Sequence, residues 1–345
     1  MSRIIDKLNK LITHKKNNLQ IHFLSKLDRF GFINSKNVIN IKSKKIFYSV
    51  SLWGDEYIEI FNDVLIPSLL QKNNLPKLKK FGCSQKLIIY TKNNEKPLSK
   101  KNEIELKKYL SIEIVENQNY KDNQDPKIYL KYCLLSFIDC SIKDNAYSMV
   151  LTPDHVYGDG SIYNIFISAY GKDIGIACIG ARVNWKKSHK LLKSIFLKKK
   201  ILNNTNLVRI TFNNLHPAFK QSININSSFI DSLTIEKIYE KTYLVSSSRV
   251  NVCIIKFNQN DYKFFKSILD YNNIDFYWPR MLIKEGRYKF IGDSDFIFYS
   301  ELTKEDLNFT KINKFKTTHN LYAGNKRLIN HIVNDSYYSL WKIKI

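Results

Sequence analysis

The order of apolar runs between residues 46 and 151 constrains this chain more than any other feature. Ile46-Phe47-Tyr48-Ser49-Val50-Ser51-Leu52 reads as a strand rich in aromatic and β-branched residues. Residues 55–72 follow as a helix, with Tyr57, Ile58, Phe61, Val64, Leu65 and Leu69 at helical spacing; Pro67 must kink or end it. Lys86-Leu87-Ile88-Ile89-Tyr90-Thr91 is a second strand, residues 99–110 a charged helix, and residues 112–116 a short third strand. Residues 128–142 read as an amphipathic helix, and Tyr147-Ser148-Met149-Val150-Leu151 as a fourth strand. Strands alternating with helices make βαβ units and a largely parallel sheet. Such sheets bind ligands at the carboxyl ends of their strands. Chemistry is therefore expected after Leu52, after Tyr90 and after Leu151.

The pattern continues past Gly160. A helix is expected over residues 161–170, and an apolar strand over residues 174–180 that runs into Ala181-Arg182-Val183. Two helices fit between Trp185 and Asn214. Beyond about residue 229 the reading turns β-rich, with strand candidates at 242–257 and 290–299. Ile4, Ile5, Leu8, Leu11 and Ile12 share a helical face near the start, so residues 1–40 are expected to be a helical extension. No linker rich in Pro, Gly or Ser interrupts the rest. Residues 41–345 are expected to form one domain, with a nucleotide-binding half over 41–185 and an acceptor half over 186–345.

The net charge of +24 invites a nucleic-acid reading, yet Arg fills only eight of the 55 basic positions. Readers of nucleic acid lean on Arg for bidentate contacts. Lys spread along the whole chain, beside abundant Asn and Ile, points instead to compositional bias. No specific nucleic-acid partner is expected. The five Cys have no C-x-x-C spacing, and most lie in apolar runs. They read as buried free thiols of a reducing compartment. With no apolar run of signal-peptide or spanning length, the expected location is cytoplasmic. Lys7 to Lys26, where Lys15 and Lys16 sit beside apolar positions, suggests peripheral contact with an anionic inner-membrane surface.

Several segments carry residues suited to chemistry, and each also has a structural reading. After the first strand comes Trp53-Gly54-Asp55-Glu56. Trp53 suits stacking on a base, Gly54 a close backbone approach, and Asp55 a ribose hydrogen bond. Equally, this is a helix start with acids favoured by the dipole. Thr91, closing the second strand, is a further donor-binding candidate. After the fourth strand comes Thr152-Pro153-Asp154-His155-Val156-Tyr157-Gly158-Asp159-Gly160. An acid delivered at a strand end suits Mg²⁺ or Mn²⁺ holding a diphosphate, so Asp154 and Asp159 are the metal-ligand candidates and His155 a donor-binding one. Asp-Gly is also a common turn dipeptide. Arg182 ends a later strand and suits a phosphate clamp or a structural ion pair. His216, before Pro217, is a candidate base or acceptor contact, or a helix-ending His. Gly292-Asp293-Ser294-Asp295 places two acids two residues apart, and Asp293 and Asp295 are the candidate catalytic carboxylates.

Taken together, Ser51-Leu52-Trp53-Gly54-Asp55-Glu56-Tyr57, the run from Leu65 to Pro76, Thr152-Pro153-Asp154 through Ser161, Leu215-His216-Pro217 and Asp293-Ser294-Asp295 resemble a group of bacterial glycosyltransferase-like proteins of the GT-A superfamily. The resemblance covers roughly residues 46–300. It implies an α/β, GT-A-like (Rossmann-like) mixed sheet flanked by helices, with a β-rich C-terminal part. It also implies a nucleotide-sugar donor, a glycan or lipid-linked acceptor, and a role in surface polysaccharide synthesis. GT-A enzymes carry Asp-x-Asp after a central strand. Here Thr152 stands at the first acid, so a Mn²⁺ or Mg²⁺ requirement is open. Two other readings compete. A sugar nucleotidyltransferase would place a Gly-rich loop with Arg and Lys after the first strand, where this chain is acidic. A non-enzymatic glycan- or nucleic-acid-binding protein would concentrate Lys and aromatics on one face.

Overall fold

The computed structural model describes residues 41–117, 126–171, 173, 175–178, 180–217, 233–239, 242–247, 252–267, 287–291, 294–304 and 339–341. The expected N-terminal helix lies outside these residues. Among them no helix is long and apolar enough to cross a membrane.

The centre is a parallel four-stranded sheet formed by β1 (Lys45–Ser51), β2 (Ser84–Lys92), β3 (Ser111–Asn117) and β4 (Tyr147–Leu151). Its spatial order is β3-β2-β1-β4, and every pairing is parallel. Alternation decides which side chains face which layer. Ile46, Tyr48 and Val50 of β1 join one core; Phe47 joins another on the opposite face. The first face is covered by α1 (Asp55–Ile60), a π-helical turn (Phe61–Leu65), α2 (Ile66–Leu69), α3 (Leu75–Lys80) and α4 (Lys100–Lys107). The opposite face is covered by α5 (Pro126–Lys143), through Tyr129, Cys133 and Phe137. The alternating sheet expected from the sequence is thus a mixed α/β fold with helices on both sides.

Pro67 does not break the first helical stretch. It falls in the first turn of α2, where a missing N–H costs nothing. The π-helical turn just before it shifts the helix phase, so Ile60, Phe61, Val64, Leu65, Ile66 and Leu69 are all buried. Ile60 and Val64 enter the second core, while Phe61, Leu65, Ile66 and Leu69 enter the first.

β4 leads through a turn to β5 (His155–Tyr157), then to α6 (Ser161–Ala169). Residues 174–183 are not one strand. They split into β6 (Gly175–Cys178) and β7 (Ala181–Asn184), which belong to different three-stranded sheets. Gly180 lies at the split, where a Cβ would sit 2.2 Å from the Tyr299 ring. The two expected helices follow as α7 (Trp185–Leu197) and α8 (Asn204–Asn213), each with an Asn side chain capping its start. The C-terminal part is β-rich as expected. β8 (Leu233–Tyr239), β9 (Thr242–Ser247) and β10 (Val252–Ile254) precede α9 (Gln259–Ser267). β11 (Tyr288–Ile291), β12 (Tyr299–Thr303) and β13 (Ser339–Trp341) follow. β12 is central in the sheet β5-β12-β7, antiparallel to β5 and parallel to β7.

Candidate functional site

In the order β3-β2-β1-β4, successive crossovers run away from β1 on one side and return to it on the other. That reversal opens a crevice between the carboxyl ends of β1 and β4. The segments delivered there are Trp53-Gly54 and Thr152-Pro153-Asp154. Sequence order alone had marked both.

Asp154 follows β4 in a turn closed by the His155 N–H donating to Thr152 O at 3.0 Å. Its own carbonyl accepts from the Leu302 N–H at 2.9 Å, which ties the turn to β12. The side chain is only 9% exposed, and its Oδ1 is fully buried with no hydrogen-bond partner. Burial pushes the carboxyl up to about 8; Glu301 adds to the rise and Arg182 opposes it. A buried polar atom without a partner costs stability, so its persistence asks for a ligand, a proton or a cation.

The pairing register explains the neighbours. Glu301 of β12 stands opposite His155 of β5 on one side and Arg182 of β7 on the other. Residues in register share a face, so His155, Glu301 and Arg182 form a row. Arg182 Nε contacts Glu301 Oε1 at 3.1 Å. His155 Nδ1 lies 3.3 Å from the Tyr157 hydroxyl, and its ring is 4.9 Å from that of Tyr299. Burial holds the imidazole down at about 4, with Glu301 raising it and Arg182 lowering it. His155 is therefore neutral at pH 7.

A wall of aromatic and charged groups stands beside this row. Tyr57 meets Trp185 edge-on at 5.3 Å. The Lys304 ammonium lies over both rings, at 5.8 and 5.5 Å, and pairs with Glu56. Burial raises the Tyr57 phenol, Asp154 raises it further, and Lys304 pulls it down.

Sequence reasoning missed Glu301, Tyr57, Trp185 and Lys304 as site residues. The available signal was Glu301, a lone acid in the apolar run Phe298-Tyr299-Ser300-Glu301-Leu302. Its partners are set by strand pairing across more than a hundred residues, which spacing does not reveal.

The other candidates fall in different places. Gly54 has φ +82°, and its N–H donates to Glu95 Oε1 at 3.0 Å. The buried Thr91 hydroxyl donates to Glu95 Oε2 at 3.0 Å. Both thus hold a carboxylate of their own chain beside the crevice. Asp55 lies in the exposed first turn of α1. Trp53 packs on Tyr129 at 5.3 Å, on the α5 side of the sheet. His216 is buried, with Nε2 3.1 Å from Lys304 O, and its N–H donates to Arg182 O. Its ring meets the site through the backbone that carries Lys304. Asp295 is exposed, four residues before the start of β12, and Asp293 lies outside the described residues.

Asp159 does not join Asp154 as a ligand pair. The two stand at opposite ends of β5, and both Asp159 oxygens accept from Asn73, its N–H at 2.8 Å and its Nδ2 at 2.7 Å. The carboxylate beside Asp154 is Glu301. Asp154 offers an unpartnered buried oxygen of the hard kind a divalent cation takes, while Arg182 already holds Glu301 Oε1 at 3.1 Å. A second group of ligand type is made by Glu59 of α1, Asp63 of the π-helical turn and His189 of α7. Lys193 already occupies it, 2.7 Å from Asp63 and 3.4 Å from Glu59.

No family model and no curated protein matches the sequence. Solved structures do. A protein named as a glucose-1-phosphate thymidylyltransferase, from Bacillus anthracis, is 10% identical with a TM-score of 0.35, over 74% of this chain and 89% of that one. The inositol-1-phosphate CTP transferase of T. maritima is 9% identical with a TM-score of 0.33, over 75% and 90%. A mannosyltransferase from Pyrobaculum calidifontis, in complex with GDP-Man and Mn²⁺, is 8% identical with a TM-score of 0.25, over 50% and 46%. At these scores the similarities carry no argument about the reaction, which rests on the site itself.

Proposed function

We propose that the chain is an enzyme using a nucleotide-activated sugar. Within that class we read it as a glycosyltransferase that passes the sugar to a glycan or lipid-linked acceptor in surface polysaccharide assembly. One observation carries the proposal: the buried carboxyl of Asp154, with an unpartnered oxygen, sits at the switch point of a β3-β2-β1-β4 parallel sheet. The switch point is where such sheets place a nucleotide.

The surrounding residues suit the task. Arg182 and Lys304 supply positive charge toward a diphosphate. Tyr57 and Trp185 offer ring surfaces against which a sugar face can pack. Trp53 follows β1 and, though packed on Tyr129, is the residue that would meet the base. Neutral His155 accepts or donates one hydrogen bond without bringing charge. Asp154 and Glu301 are the residues that would hold Mg²⁺ or Mn²⁺, which neutralises charge building on a leaving diphosphate. Burial favours the protonated Asp154 carboxyl and a cation must displace that proton, so cation affinity should rise with pH.

The competing assignment, a sugar nucleotidyltransferase, lacks its usual basic loop. After β1 the chain has Trp53-Gly54-Asp55-Glu56, and Glu95 takes the Gly54 amide. A panel of nucleotide sugars, with and without Mn²⁺, read by thermal shift and by donor turnover, tests the assignment. We expect one donor to raise the melting temperature, and Asp154→Ala to lose turnover by at least a hundredfold, the order expected for a catalytic electrostatic contact. Full turnover in Asp154→Ala would sink it. Pyrophosphate release from a nucleoside triphosphate and a sugar phosphate would assign the other class.

A further inference from the structure

The surface made by α7 and the loop after it is strongly basic. From Trp185 to Ile201 the sequence has seven Lys and no Asp or Glu. Trp185, Ser188 and Leu192 turn inward. At 100° per residue, Lys186, Lys187, Lys190, Leu191, Leu197 and Lys198 fall on the opposite side, and all are exposed. Leu197 is 68% exposed and Ile201 59%, with Lys198, Lys199 and Lys200 between them.

The tip is held in place rather than loose. Lys199 adopts φ +52°, and three N–H groups close the turn: Lys198 to Ser194 O, Lys199 to Phe196 O and Lys200 to Ile195 O. On the far side Leu202 is buried, and its N–H donates to Gln71 Oε1 at 2.7 Å. Two aliphatic side chains and three ammonium groups are thus presented together on an anchored turn. The nearby acids, Glu59 and Asp63, are taken up by Lys193 at the edge of this face.

We propose that Leu197–Ile201, with the outward side of α7, docks on an anionic lipid surface. The chemistry selects that partner. Lys ammoniums are drawn to anionic headgroups within about one Debye length, ~8 Å at physiological salt. Leu and Ile then enter the headgroup boundary, which a duplex or a purely acidic protein face would not reward. The patch contains no Arg for bidentate phosphate contact and no exposed aromatic for base stacking. Trp185, at the site wall, starts the helix whose other end is Leu197. At 1.5 Å per residue, the docking face runs roughly 20 Å from the site wall at Trp185 to the tip. The surface stands independently of the reaction proposed above, because its test reads binding alone.

The test is co-sedimentation of the full chain with vesicles of phosphatidylcholine alone or with about 30% phosphatidylserine, near 0.15 M salt. We expect binding to the anionic vesicles only. Leu197→Ser with Ile201→Ser should weaken partitioning about tenfold. Lys198→Ala, Lys199→Ala and Lys200→Ala together should weaken it on the order of a hundredfold. Both variants should keep the wild-type melting temperature, because every changed side chain is exposed. Four results overturn the proposal: no binding to anionic vesicles, equal binding to phosphatidylcholine, wild-type binding by both variants, or loss in the Lys variant alone with equal affinity for duplex DNA. The last would describe a general polyanion surface.

Discussion

Asp154 and His155 are adjacent, one buried and one half-buried, and shifted in opposite senses. Asp154 has its folded value raised to about 8 against an unfolded value near 3.9. The stability it contributes is fully present below the unfolded value and is lost as pH rises through the folded one. His155, held down at about 4, contributes stability above about 6.5 that is lost as pH falls through 4. Between pH 4 and 6.5 the two trends oppose each other; from 6.5 to 8 only the Asp154 loss remains. Asp154→Asn removes the titration with little change of shape. Its melting temperature should match or exceed that of the wild type near pH 4. The gap should widen up to about pH 8 and then level off, as followed by thermal melts in a pH series. A gap independent of pH would mean that Asp154 titrates alike in the folded and unfolded chain. At this scale the sequence was partly readable. Asp154 could be named because a strand end delivers it. Asp159 was misjudged because its partner, Asn73, lies 86 residues earlier and leaves no local trace.

At the scale of elements, the helix after the site segment is started by a residue from elsewhere. Gly160, with φ +94°, offers α6 no side-chain cap. The buried Asn74 Oδ1 accepts both the Gly160 and Ile162 N–H groups at 3.0 Å, while its Nδ2 donates to Ser68 O and Gly158 O. Asn74→Ala leaves these groups unpaired in the interior. It should cost about 2–4 kcal/mol by denaturant titration, more than an ordinary cap, because the orphaned amides cannot reach water. Asn74→Asp should recover part of that loss by restoring an acceptor to the two N–H groups. A cost below about 0.5 kcal/mol for the Ala change would show that water replaces the Asn. Element boundaries were legible where polarity switches sharply, as at Tyr147–Leu151. They failed at residues 174–183, where one apolar run serves two sheets and only the close approach of Tyr299 to Gly180 marks the division. The π-helical turn was also hidden, since Tyr57 to Leu69 keeps an acceptable 3.6-residue pattern around it.

At the scale of the whole molecule, the parallel sheet was legible because it depends on order alone. The site was only half legible because it joins that sheet to β12, far along the chain. The helical stretch from Asp55 to Leu69 crosses the same divide. Its phase shift lets Ile60 and Val64 grip one core while Phe61, Leu65, Ile66 and Leu69 grip the other. Neither core can then melt alone without stripping a shared element of half its burial. The described body should lose heat-absorbing structure in one cooperative step, with calorimetric and van't Hoff enthalpies in agreement. Two resolved peaks would show that the halves come apart independently. The same beam carries Tyr57 into the site, so loosening either half should lower activity at the same temperature. In this molecule the candidate site and both hydrophobic cores are fastened to one length of helix.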